Sequence, residues 1–290
     1  MADHNVTAAK LKRRVLLSAA MVMLSVASAH AQSVAAFSIT NADVIESSGI
    51  TFSQRRDDVL WTHNDSGDTP RLFAVDTAGR DLGTFPVDPA KAVDWEDIAS
   101  ASIDGKPCLI VADTGDNQRK RGDATLYMIE EPDIGTDRVA RVIRTLPFTY
   151  EDGPQNCEGL GVAPDEQVFY LATRGNEGQR KLYELPFTGT VARLVTTLAA
   201  LPHVTAMDIS RDSRYAVFLT QDNTALEYRR EAGESWRQAF ARPPRTLELP
   251  EAVQAEAIGY HPDGDALYVT SEGSPCPLWR IEILPDSPRP

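Results

Sequence analysis

Cysteine is scarce in this chain, with three residues in 290, and histidine hardly commoner, with five. So few thiols, and an odd number, cannot build a disulfide framework, and at least one is free. Cys108 and Cys157 lie in strand-like runs where small buried hydrophobes are expected, and a Cys157–Cys276 bond is the alternative. The sequence also lacks G-x-S-x-G, H-E-x-x-H, a P-loop and a G-x-G-x-x-G ahead of a helix, so the common signatures of nucleophilic, zinc and dinucleotide enzymes are missing. Positive charge is in deficit, at 29 Lys and Arg against 42 Asp and Glu. That balance argues against nucleic acid and against anionic membrane surfaces as partners.

Apolar runs long enough to cross a bilayer are missing too. The longest begins at Val15, behind Lys10, Lys12, Arg13 and Arg14, and ends at the small-x-small triplet Ala29-His30-Ala31. Basic, apolar and small residues in that order predict an export signal over 1–31, cut after Ala31, with a retained anchor as the alternative. The remaining 32–290 would be one periplasmic or secreted domain with no membrane segment, and a monomer. Removing four bases and one acid makes that domain more acidic still.

What the sequence does have is a repeat. Ser48-Gly-Ile-Thr-Phe, Glu96-Asp-Ile-Ala-Ser, Glu158-Gly-Leu-Gly-Val, Thr205-Ala-Met-Asp-Ile and Glu256-Ala-Ile-Gly-Tyr share a pattern. Each opens on an oxygen-bearing side chain and has a large apolar residue two positions on. The period is about 50 residues, with one longer interval between Glu96 and Glu158, which is a propeller spacing. Asp and Gly turns follow four of the segments, as in Asp104-Gly105 and Asp263-Gly264. Second strands are read at Val59, Leu109, Val168, Val217 and Leu267, and third strands at Leu72, Leu126, Leu182, Leu226 and Leu278. Fourth strands are weaker, near 84–87, 143–150, 192–198 and 246–249. The last unit runs out of chain, so 34–44 is expected to supply its outer strand and leave no open edge. The prediction is an all-β, five-bladed β-propeller of four-stranded antiparallel blades, with the long interval assigned to a loop at 116–123. Six blades is the alternative.

In such a fold the first strands line a channel and run the same way. Ser48, Glu96, Glu158, Thr205 and Glu256 would therefore form one ring at one mouth. Three carboxylates in a narrow ring repel one another unless a positive charge lies between them. Hard oxygen donors without His or thiol select Ca2+ over zinc or copper, and five radial ligands do not make magnesium's octahedron. The ends of the second strands return to the same mouth and are all polar, among them Asp65, Asp113 and Arg174. The opposite mouth is expected to hold ordinary turns. Arg174, a lone cation among acids, is read either as an anion clamp or as the partner of Asp113 or Asp65.

These ring residues resemble the Ser-Glu-Glu-Ser-Glu calcium ring of the calcium-activated apyrases, five-bladed propellers that hydrolyse nucleoside di- and triphosphates. Thr205 stands where that family has serine. The stretches 60–68, 94–98 and 112–117, with Asn64-Asp-Ser-Gly-Asp, Asp94-Trp-Glu-Asp-Ile and Asp113-Thr-Gly-Asp-Asn, are similar to a group of exported bacterial propellers of unassigned activity. A broader similarity reaches the esterase-like phytase and SdiA-regulated propellers, which also carry central calcium. The Asn and Asp ligands of senescence-marker-type lactonases are not matched.

Two functions are compatible with these residues. One is a calcium-dependent phosphohydrolase acting on a small anionic, phosphorylated substrate. There Arg174 would neutralise charge, and Asp65 or Asp113 would position or deprotonate water. The other is a non-enzymatic module whose calcium is structural and whose mouth binds a ligand or protein.

Overall fold

In the computed structural model, which describes residues 34–175, 180–198, 201–249 and 255–283, the chain is all-β. The predicted export signal over 1–31 lies outside the described residues. After β1 (Val34–Ser38), the strands follow one another as antiparallel meanders. The first comprises β2 (Ser47–Phe52), β3 (Val59–Asn64), β4 (Arg71–Asp76) and β5 (Asp81–Asp88). The second comprises β6 (Trp95–Ile103), β7 (Lys106–Asp113), β8 (Ala124–Glu130) and β9 (Ala140–Tyr150). The third runs through β10 (Cys157–Ala163), β11 (Val168–Thr173), β12 (Lys181–Pro186) and β13 (Val191–Thr197). The fourth holds β14 (Val204–Ile209), β15 (Tyr215–Thr220), β16 (Thr224–Arg229) and β17 (Arg245–Glu248), with a single helical turn, α1 (Trp236–Ala239), between its last two strands. The fifth has β18 (Ala255–Tyr260), β19 (Ala266–Ser271) and β20 (Pro277–Glu282). Its fourth strand is β1, with Val34 opposite Ile281 and Ser38 opposite Pro277.

Burial explains why these segments are strands and why some were easier to read. β3, β10, β14 and β19 are buried at every position. A strand covered on both faces reads as a continuous apolar run. β5 and β9 instead alternate buried and exposed positions near their ends, because one face meets water. Five apolar clusters fill the space between meanders. Each joins one group to the next: Trp61 with Trp95 and Leu109, Ile110 with Leu160 and Phe169, Tyr170 with Phe218, Val217 with Leu267, and Leu60 with Tyr268. The first strands touch in the same order, β2 to β6, β10, β14 and β18, and β18 touches β2 again.

The long interval between Glu96 and Glu158 is distributed differently from the expected single loop. Residues 116–123 do connect β7 to β8, but β6, β7 and β9 are also longer, at 9, 8 and 11 residues, and 131–139 adds a further connection. Cys108, Cys157 and Cys276 are all buried and unpaired. Among the described residues no helix is long and apolar enough to cross a membrane.

Buried polar groups tie the first strands together. Asp97, with no exposed surface, accepts from its neighbour Ile98 N at 2.8 Å, from Leu160 N on β10 at 2.7 Å and from Met207 N on β14 at 3.2 Å. Asp208 accepts from Ile209 N at 2.8 Å and from Tyr260 N on β18 at 2.7 Å. At the far ends of these strands Arg211 reaches from the turn after β14 to Asp57 and the Ser53 carbonyl. That end holds a cavity of about 520 Å³, lined in part by Gln54, Ser100 and Arg230, where only turns were expected.

Candidate metal centre

Each first strand loses register at its second residue. The pairing skips from Ser47 to Gly49, Trp95 to Asp97, Cys157 to Gly159, Val204 to Ala206 and Ala255 to Ala257. Ser48, Glu96, Glu158, Thr205 and Glu256 are thus five bulge residues at one rung. A bulge kinks the strand and re-aims the extra side chain, and here it does so five times at the same end.

Ser48, Glu96, Glu158 and Glu256 line one cavity of about 140 Å³, joined by Asp65 and Arg174. Its volume suits an ion and several waters, each of which needs about 30 Å³. Thr205 is not in its lining: it is 2% exposed, and its hydroxyl donates to the Ala255 carbonyl at 3.2 Å. The Ser48 hydroxyl likewise donates to the Glu96 carbonyl at 3.0 Å. Both hydroxyls link one first strand to the next.

The acids differ in their surroundings. Glu158 is held by Arg174, whose Nη1 lies 3.2 Å from both carboxylate oxygens, and by Asn156 Nδ2 at 2.8 Å. Arg174 therefore pairs with a ring residue, not with Asp113 or Asp65. Asp113 lies beside the mouth, 1% exposed, and is bound to Arg121 at 2.8 Å. It accepts from Val93 N at 3.3 Å and Asp94 N at 3.1 Å, so it holds backbone and does not reach the cavity. Glu96 is 5% exposed, and its carboxylate has no hydrogen-bond or ion-pair partner among the described residues.

Asp94 was not singled out as a site residue, yet one oxygen each from Asp65, Asp94 and Glu96 lie within 4.8 Å of one another. A signal for it existed in proximity alone: Asp94 is an acid two residues before Glu96 in the run Asp94-Trp95-Glu96-Asp97. The turn that fixes it is less legible. The Asp94 carbonyl accepts from Thr114 N and Gly115 N, both at 3.1 Å. A Cβ on Gly115 would overlap Glu96 Oε1 and Asp94 Oδ2, so glycine lets that turn press against the two acids without displacing their side chains. His63, the histidine nearest the mouth, faces the next meander instead. It is fully buried, edge-on to Trp95 at 5.7 Å between ring centres, and burial lowers its pKa.

Burial raises the pKa of Asp94, with Asp65 adding repulsion, and raises Glu96 well above the carboxylate range, with Glu158 next. Burial also lifts Glu158 against the opposing pull of Arg174. Glu256 is pushed up to about 7, by burial first and by Glu158 second. A folded state that binds more protons than the unfolded chain loses stability as pH rises through this interval. In chelator, the melting temperature should therefore fall between about pH 5 and pH 7.5, more than composition alone would give. A melting temperature that rises over that range would mean the mouth carboxylates are not held up. An oxygen-only donor set around an unpaired buried carboxylate fits a hard cation, since such a charge is costly unless paired or bound to metal.

No family model matches the chain, and no curated protein matches it.

Proposed function

We propose that the chain is an exported five-bladed β-propeller that binds calcium at one mouth of its channel. There it takes a small anionic, phosphorylated substrate and hydrolyses a phosphoric ester or anhydride. The observation that carries this reading is the convergence of four of five bulge carboxylates and hydroxyls on one cavity, beside a single guanidinium. Five blades, rather than six, are supported by five antiparallel four-strand groups, the first three joined into one twelve-stranded sheet by two-residue parallel pairings of β9 with β5 and β13, together with five inter-group cores and a closed cycle of first-strand contacts. The resemblance of the ring to that of the calcium-activated apyrases points the same way. Export rests on the order of residues in 1–31.

Calcium, when bound, supplies positive charge that holds and polarises an anionic oxygen. Arg174, partly exposed, offers the remaining guanidinium hydrogens to the same anion while Glu158 fixes its orientation. Asp65, half-buried on the cavity wall, is the carboxylate placed to position a water beside the ion. Asp113, named with it from the sequence, would act by holding the Asp94 backbone.

A second reading is favoured by that same placement of Asp113. With Asp113 turned away from the cavity, the mouth also suits a binding module whose calcium is structural. Phosphate release from nucleotides and p-nitrophenyl phosphate, in calcium and in chelator, separates the two. The enzyme reading expects calcium-dependent release, with Arg174→Ala slowing it about a hundredfold. Protein that binds calcium yet releases no phosphate from any ester would leave the binding module.

A further inference from the structure

We propose that the divalent cation sits off the channel axis, in the corner formed by Asp65, Asp94 and Glu96, and not at the centre of the five-residue ring. This rests on the reading that the mouth binds such an ion, and it specifies where and through which side chains.

Three elements bring one carboxylate each to the corner: the turn after β3, the residue before β6, and the bulge in β6. With one oxygen of each within 4.8 Å of the others, some point lies within about 2.8 Å of all three. Calcium–oxygen distances of about 2.3–2.6 Å need only a slight closure, whereas magnesium, at about 2.0–2.1 Å, needs a tighter one. The corner is also built. Asp94 is held at its N–H by Asp113 and at its carbonyl by Thr114 N and Gly115 N. Gly115, lacking a Cβ, lets the same turn close against Asp94 and Glu96.

The independent observation is Glu96. Its carboxylate is the buried ring acid that faces the cavity with no protein partner among the described residues. Glu158 is already engaged by Arg174 and Asn156. An axial ion drawing on Glu158 would stand next to the guanidinium that holds it, and like charges at that range repel. Thr205, another member of the axial ring, has its hydroxyl turned onto the Ala255 carbonyl. Glu96 and Glu256 are the bulge carboxylates left without a hydrogen bond or ion pair among the described residues, and of these two Glu96 is the one with two further carboxylates, Asp65 and Asp94, within 4.8 Å.

The test is calorimetric titration of calcium into the chelator-stripped full-length protein, with Asp94→Asn and Glu158→Gln measured beside it. The corner site expects Asp94→Asn to weaken binding at least about tenfold and Glu158→Gln to change it less than about threefold. Asp65→Asn, at a half-buried turn position, should weaken binding similarly and keeps the test open if Asp94→Asn does not fold. Loss in Glu158→Gln with retention in Asp94→Asn, or equal losses in both, would put the ion on the axis and overturn the corner site. Either result would leave calcium binding itself intact. Wild-type protein that takes up no calcium would instead sink the broader reading, and the corner site with it.

Discussion

Asp97→Ala should leave little folded protein at room temperature. Its carboxyl accepts three hydrogen bonds from N–H groups on β6, β10 and β14, where no water can replace it. Each buried N–H left without an acceptor costs about 1–3 kcal/mol, and whole-domain stabilities are only about 5–15 kcal/mol. Burial pushes the Asp97 pKa well above the usual range, so part of the loss would be offset by removing a poorly solvated acid. Asp208→Ala, which strands two N–H groups instead of three, should be milder. Urea unfolding of both variants beside wild type ranks them. An Asp97→Ala midpoint close to wild type would mean that the channel layer contributes little to the fold.

The all-β architecture was legible because most strands are covered on both faces. Val59-Leu60-Trp61 and Val217-Phe218-Leu219 read as strands without any alternation, since neighbouring groups bury both sides. The outer strands were harder: β9 exposes Arg141, Arg144 and Thr145 to water, and its pattern carries less apolar signal. The rung of bulge residues was visible as an oxygen-bearing residue ahead of a small or short one. The loss of register that unpairs Glu96 or Glu158 was not, because local composition does not encode ladder slips.

What side chains do across the channel was the least legible. Arg174 reads in the sequence either as an anion clamp or as a partner of Asp113 or Asp65, and the acid it binds is Glu158, sixteen residues away but one strand across. Asp113 reads in the sequence as one of two acids, with Asp65, that could position or deprotonate water, and its ion-pair partner is Arg121 in the following loop. Arg211 reaches Asp57, 154 residues back in the chain, and lines a cavity at the far mouth that turn chemistry alone did not foretell. Periodicity reports which face of a strand is buried. It carries no information on which of several acids a long guanidinium will choose.

Calcium should raise the melting temperature of the protein. A ligand that binds only the folded state stabilises it by about 2.7 kcal/mol at a hundredfold excess over its dissociation constant. For a domain of this size that corresponds to a rise of roughly 5–10 °C. The rise should be larger at pH 7.5 than at pH 5, because Asp94 and Glu96, both held up by burial, must release protons before they can bind a cation. The direct measurement is a thermal melt of metal-stripped protein at pH 7.5, with excess calcium or with chelator. The account predicts a higher transition in calcium, reversed by chelator, whereas superimposable melts of verifiably metal-free and calcium-saturated samples would contradict it.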